Sequence, residues 1–158
     1  MGHSLADGVL LEHSGTLIPW GTPMERLGDY AGSLYVPRQS YFGWQWRSVQ
    51  VCGVRGNLYV EFFVDSEIEP LLWLQLDIAE GISWERDQEL SAIRGHARTA
   101  LSRHFRGDPH SLDGGDVWNV DGATASLTEH RDDHEFSYTE GQVSIGVLFR
   151  APSDRQQS

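Results

Sequence analysis

The stretch Ser40–Val64, SYFGWQWRSVQVCGVRGNLYVEFFV, constrains this chain more than any other. In its second part Leu58, Val60, Phe62 and Val64 share one parity, while Tyr59, Glu61 and Phe63 share the other. Such alternation marks a strand with one buried face, because successive side chains of a pleated backbone point to opposite sides. In its first part Trp44 and Trp46 share a parity, but the apolar set resumes at Val49 and Val51. That switch predicts a bulge near Arg47–Ser48, an extra residue that bends the strand and re-aims the tryptophans. A tight turn is expected at Gly53–Asn57, so the whole stretch reads as an antiparallel hairpin.

The acidic link DSEIEP leads to a third strand, LLWLQLDIA. Here Leu72, Leu74, Leu76 and Ile78 take one face, and Trp73 and Gln75 the other. Three strands with short links form a meander. The longest helix follows. Ser83 caps WERDQELSAIRGHARTALSRHF, with Glu85, Asp87 and Glu89 in its first turns and Arg98, Arg103 and Arg106 towards its end, as the helix dipole favours. Leu90, Ile93, Ala97, Ala100, Leu101 and His104 or Phe105 mark its packing stripe, and Gly107-Asp108-Pro109 stops it. Upstream, TPMERLGDYAG reads as a short helix with Thr22 as cap, Pro23 at the first position and Glu25 completing a capping box. Met24, Leu27 and Tyr30 are its buried stripe. Val9–Leu11 and Thr16–Pro19 read as a first edge strand or an ordered arm.

Downstream of the long helix, VWNV and ATASLTEH read as one long strand broken at Asp121-Gly122, with a polar turn at Arg131–Asp133. EFSY and QVSIGVLF then return, with Val143, Ile145, Val147 and Phe149 alternating; residues 151–158 read as a disordered tail. The expected fold is α+β: an antiparallel sheet of meander hairpins packed against one long and one short helix. At 158 residues the chain suits a single domain, which would bury roughly 68–70% of its unfolded surface.

The formal net charge is -11, which argues against generic binding to nucleic acid or an anionic membrane. Cys52 is the only cysteine, so neither an internal disulfide nor a thiolate zinc cluster can form. The N-terminus lacks a basic region followed by a long apolar run, and no window approaches a membrane span. The expectation is a cytoplasmic protein.

The search for chemistry assigns no catalytic residue, metal or cofactor. Cys52 sits on an expected strand with no histidine near it in sequence, the setting of a buried, inert thiol. His130 and His134 flank two aspartates in HRDDH, which reads as a solvated turn rather than a metal pair. His104 and His110 flank the end of the long helix, where a cation is favourable without catalysis. The groups Asp65/Glu67/Glu69 and Asp113/Asp116 read as solvated loop carboxylates. Neither a P-loop nor a G-x-S-x-G elbow is present. Trp44, Trp46, Trp73 and Trp118 are candidates for the core. Trp73 has the parity opposite to its leucines, so the tryptophans cannot all enter one core of a single sheet. Some aromatic surface is left for a partner.

The two halves share an order of events. A helix ends at Gly28-Asp29 or Gly107-Asp108, and a loop follows. Then come a strand opening on tryptophan (Trp44-Gln45-Trp46; Trp118-Asn119-Val120), a turn, and an alternating strand (Leu58–Val64; Val143–Phe149). With Gly21-Thr22-Pro23 opening the first helix, this pseudo-repeat of 20–80 and 83–150 resembles the β-lactamase-inhibitor-protein-like arrangement of helix-then-meander units. It is also similar to the small α+β immunity proteins that bacteria encode beside polymorphic toxins. The chain departs from the secreted members in having no signal peptide, lipoprotein cysteine or disulfide pair. The resemblance implies a non-enzymatic protein that occludes a partner's active site. In that expectation Trp44 and Trp46 are anchors, and Asp65, Glu67, Glu69, Asp132, Asp133 and Glu135 form a charged rim for a basic partner such as a nuclease. Two other expectations stand beside it. One is a small-ligand or hydrolytic domain with a tryptophan-lined pocket and a histidine base; the other is a homodimer pairing through an exposed edge strand, QVSIGVLF.

Overall fold

The computed structural model describes residues 5–83, 87–112, 115–133 and 139–149. The strands in chain order are β1 (Gly8–Leu11), β2 (Thr16–Pro19), β3 (Ser33–Arg38), β4 (Tyr41–Val51), β5 (Val54–Phe63), β6 (Trp73–Ser83), β7 (His110–Leu112), β8 (Gly115–Val120), β9 (Ala123–Asp133) and β10 (Thr139–Phe149). A 3-10 helix at Met24–Tyr30 precedes β3, a one-turn 3-10 segment at Val64–Ser66 follows β5, and α1 (Asp87–Phe105) joins β6 to β7. β1 and β2 form a small hairpin. The other eight strands make one antiparallel sheet in the order β3-β4-β5-β6-β10-β9-β8-β7. It is thus two four-stranded meanders joined where β6 pairs with β10, each preceded by a helical segment. In position β10 answers to β6, not to β5.

The alternation dictates which face is covered. One row across the sheet reads Trp46, Leu58, Leu76, Ile145, Leu127 and Asp116, and the next holds Trp44, Val60, Leu74, Val147, Ala125 and Trp118. α1 lies over this face, packing on β5, β6, β8, β9 and β10 with Ala97 and Leu101 buried. The β1–β2 hairpin and the first 3-10 helix cover the rest, burying Val9, Leu11, Ile18 and Leu27 in the same core. Trp20 ties this lid to the end of β10: its ring stacks on Phe149 (5.6 Å, 7°), and its indole donates to the Leu5 carbonyl (2.7 Å). Met24, Leu27 and Tyr30 recur every third residue, the period of a 3-10 helix, so all three face the core.

The bulge falls where the parity switch places it, between Trp46 and Val49, with Ser48 at φ 53° and its amide donating to Asn57 Oδ1 (2.9 Å). The turn does not fall at Gly53–Asn57. It is a two-residue turn at Cys52-Gly53, with φ 52° and 79°, and β5 already begins at Val54. Two successive left-handed residues match the right-handed twist of the flanking strands. Asp121-Gly122 repeats this geometry (φ 49° and 86°), so VWNV and ATASLTEH are not one broken strand but the paired strands β8 and β9. Arg131–Asp133 belongs to β9 rather than to a turn. Thr22 caps nothing: its hydroxyl donates back to the Pro19 carbonyl (2.8 Å), and Pro23 holds the cap position. Ser83 is the last residue of β6, and the cap of α1 lies outside the described residues. α1 ends on a left-handed Arg106, and the Gly107 amide donates to the Ser102 carbonyl (3.0 Å). β3 and β7 come as additions to the sequence reading. They are the sheet's edges, whereas QVSIGVLF is in β10, paired on both sides; dimerisation through that strand's edge is ruled out.

Candidate docking face of the sheet

The other parity of the same strands makes the open face, on which neither α1 nor the β1–β2 lid lies. In the first meander its rows are Tyr41 with Phe63, then Tyr35 with Gly43 and Glu61, then Gln45 with Tyr59 and Gln75, then Asn57 with Asp77 beside the bulged Arg47. Between them lies a groove of about 440 Å³, lined by Tyr35, Gln45, Arg47, Asn57, Tyr59, Glu61 and Asp77. Gly43 makes room for it. A Cβ there would stand 2.4 Å from the Tyr35 ring, so only a residue without a side chain lets that ring lie flat across β4. The ring then carries its hydroxyl to Glu61 Oε1, donating at 3.1 Å. Burial first, and then the Glu61 charge, push the Tyr35 hydroxyl well above the ordinary tyrosine range, so it remains a donor. At the far end Gln75 donates to Asp77 Oδ1 (3.1 Å). Gly56 lets β5 and β6 close up here, since a Cβ would stand 2.3 Å from the Asp77 carbonyl oxygen.

Beyond Glu61, β5 and the loop after it carry exposed apolar side chains. The Phe63 ring packs on Tyr41 with centroids 4.3 Å apart, yet Phe63 is 54% exposed; Ile68, in the following loop, is 72% exposed. Asp65, Glu67 and Glu69 flank these residues and are exposed. The loop's backbone is held while its side chains are left to solvent. The Glu67 carbonyl accepts from the Glu25 amide (2.8 Å), the Glu69 carbonyl from the Met24 amide (3.0 Å), and the Leu71 amide donates to Thr22 (2.8 Å).

The sequence-level site is therefore only partly assembled. Trp46 is 3% exposed and donates its indole N–H to the Tyr30 carbonyl (2.9 Å), so its expected anchor role is corrected: no partner reaches it unless the 3-10 helix leaves. Trp44 is half-buried on the same covered face, beneath Gly28 and Gly32. Trp73 has the opposite parity, as expected, and its indole lies over Gly146. Asp132 and Asp133 pair with Glu140 and Thr139 at the end of the sheet where β6 finishes, whereas Asp65–Glu69 precede the start of β6. The 11 residues of β6 span about 30 Å, so these two stretches of backbone stand at opposite ends of the strand. Glu135 and His134 lie outside the described residues. Sequence reasoning passed over Tyr35, Tyr41, Tyr59, Glu61 and Phe63 as site residues, although the parity of Tyr59, Glu61 and Phe63 already set them apart from the core.

Cys52 is in the turn rather than on a strand, and it is buried. A cleft of about 10 Å³ brings it near Glu12 and His104, room for about one water. Burial, and less strongly Glu12, push the thiol up to about 12, so at neutral pH it is protonated and a poor nucleophile. The open-face groove is lined by tyrosines, amides and charged groups rather than by tryptophan and histidine. Among the described residues no group of three His, Cys, Asp or Glu side chains is placed to hold a metal ion, and no helix is long and apolar enough to cross a membrane. Comparison with protein-family models, with curated proteins and with solved structures finds no match.

Proposed function

We propose that this chain is a non-enzymatic protein-binding domain, most concretely an immunity protein that neutralises a cognate toxin by seating a basic region of it on the open face of the first meander. The observation that carries the reading is the groove itself: charged and aromatic side chains on the face that, among the described residues, neither α1 nor the β1–β2 lid covers, followed along the chain by exposed Phe63 and by a loop of exposed Asp65, Glu67, Ile68 and Glu69. Aromatic anchors inside a charged rim are the usual anatomy of a hot spot. The anchors here are Phe63 and Tyr41, in place of Trp44 and Trp46. A net charge of -11 draws in a basic partner and makes the association rate fall as salt rises.

The test is capture of a basic protein from the native host by the intact chain. Association measured at low and at physiological salt should slow by about tenfold or more. Reversing the loop charges (Asp65→Arg, Glu67→Arg, Glu69→Arg) should weaken binding, while reversal of Asp132 and Asp133 should leave it nearly unchanged. A host in which no basic protein is retained would end this reading.

A further inference from the structure

We infer that Glu61, with the rings of Tyr35, Tyr41, Tyr59 and Phe63, forms a receptor for one arginine side chain of the partner. The inference rests on the docking role proposed for this face and names the chemistry the groove selects. On β5 the alternation puts Tyr59, Glu61 and Phe63 on the open face about 7 Å apart. Across the ladder Phe63 packs against Tyr41, and Glu61 stands opposite Gly43, the gap through which Tyr35 reaches from β3 to donate to Oε1. The Glu61 carboxylate is thus bordered by rings on its own strand before and after it, and by a third ring across the sheet.

That combination selects a cation. Ring faces carry negative quadrupole density and attract a cation within about 6 Å. A planar guanidinium can stack on a ring and pair with a carboxylate at the same time, which the compact, strongly hydrated ammonium of lysine does less well. An anion would meet Glu61, and an apolar side chain would strip water from that carboxylate and return nothing. The Tyr35 hydroxyl occupies one oxygen of Glu61 and orients the group without neutralising it. Arg47 opposes Asn57, four residues along β5 from Glu61 and about 13 Å away. That row ends on Asp77, so the carboxylate at the far end of the groove already shares its row with a cation, and an incoming cation is favoured at the Glu61 end.

The experiment is titration of the intact, isotopically labelled protein with N-acetyl-arginine amide, its neutral citrulline counterpart and its lysine counterpart, following backbone amide signals of β4 and β5. The arginine compound should move Gly43, Tyr59 and Glu61, the citrulline compound should not, and lysine should bind several-fold more weakly. Glu61→Gln should weaken the arginine response about tenfold with the remaining spectrum unchanged. Tyr35→Phe should weaken it less, and Arg47→Gln should strengthen it. An equal response to citrulline, an equal response to lysine, shifts confined to residues 65–69, or a response that survives Glu61→Gln would each overturn the receptor. The docking role is decided separately. If the native partner still binds Glu61→Gln but is lost on reversing Asp65, Glu67 and Glu69, the docking face stands and the arginine receptor falls. If no basic partner exists, the titration alone decides the receptor.

Discussion

Trp46 and Trp118 stand in the same place in the two meanders. Each is on the second strand of its half, on the covered face and almost fully buried. Each donates its indole N–H to a main-chain carbonyl where the preceding helical segment ends, Tyr30 at 2.9 Å and Gly107 at 3.1 Å. Each half then reverses on a pair of left-handed residues, Cys52-Gly53 or Asp121-Gly122. The halves part on what surrounds this plan. The first lays a short 3-10 helix over its tryptophan, the second a 19-residue α-helix with Arg94 and Arg98 reaching the buried Asp116. On the open face the first half presents Tyr35, Tyr59, Glu61 and Arg47, and the second Thr124, Ser126, Thr128 and Ser144. The covered faces are alike because a core restricts them; the open faces are free to differ, and the one with aromatic and charged side chains carries the candidate site.

The largest effects should come from the shared part. Trp46→Ala and Trp118→Ala should each cost about 3–5 kcal/mol, from lost burial, a cavity and a stranded carbonyl, read by urea denaturation of the intact chain. The phenylalanine variants, which keep most of the volume but lose the N–H, should cost about 1–2 kcal/mol each. If one tryptophan proved tolerant while its counterpart did not, the two halves would not be equivalent in energy, whatever their geometry.

A smaller effect separates the helices. Asp116 is buried, with Arg94 at 3.5 Å and Arg98 at 3.6 Å, and Glu129 also approaches Arg94 (3.7 Å). Asp116→Ala removes the carboxylate that both arginines reach, and because Arg94 and Arg98 keep access to solvent it should cost about 1–2 kcal/mol. The ion pair of the first half, Arg26–Asp29 at 3.2 Å, is exposed on both sides, and Arg26→Ala should cost less than about 0.5 kcal/mol. Equal costs would mean that α1 is held by apolar contact alone.

The turns give a pH signature confined to the first half. Cys52 is buried with its thiol pushed up to about 12, whereas its counterpart Asp121 is exposed. Unfolded, the thiol titrates near 9, so above that pH the unfolded chain releases a proton that the folded chain keeps. The stability from a protonated Cys52 is therefore complete below pH 9 and lost as pH rises towards 12; by pH 11 the loss is about 3 kcal/mol. Tyr35, also raised, adds to the same alkaline slope. Denaturation at a series of pH values should show that slope, and Cys52→Ala should flatten it. An unchanged slope in Cys52→Ala would place the titration elsewhere.

What could be read from the sequence was whatever repeats along one strand or one helix. Leu58–Phe62, Leu74–Ile78 and Val143–Phe149 declare their faces by period two, and the Trp46-to-Val49 shift declares its bulge, because both are local properties of a pleated backbone. Pairing is not local. Asp121-Gly122 is compatible with either a break or a reversal, and only the partner strand decides between them. For the same reason β10 could pass for an edge, and Asp132 could be grouped with Asp65 although a strand length separates them. β3 escaped because SLYVPR is short and carries a proline, a composition tolerated at a sheet edge. With β3 went Tyr35, the one ring of the candidate site that β4 and β5 do not supply. The tryptophans misled in the other direction: their size suggested anchors, but a large ring with one N–H is equally suited to a core that offers a single free carbonyl.

A small expected change in stability is the one that best separates site from scaffold. Two open-face glycines lie beneath aromatic rings, Gly43 under Tyr35 and Gly146 under Trp73. A methyl group at Gly146 would meet the Trp73 indole nitrogen at 3.5 Å, an ordinary contact, so Gly146→Ala should change stability by less than about 0.5 kcal/mol. A methyl group at Gly43 would meet the Tyr35 ring at 2.4 Å. Since Tyr35 is half-buried on an edge strand, its ring can swing outwards, and Gly43→Ala should cost only about 1 kcal/mol. The swing, however, breaks the bond to Glu61 and removes the burial that raises the hydroxyl. Tyrosine absorbance followed through an alkaline titration should then show one more residue ionising near pH 10 in Gly43→Ala, and none in Gly146→Ala. Were the tyrosine titration of Gly43→Ala to match that of the parent chain, the ring would not depend on the glycine floor, and the groove would lose the wall that distinguishes the first half from the second.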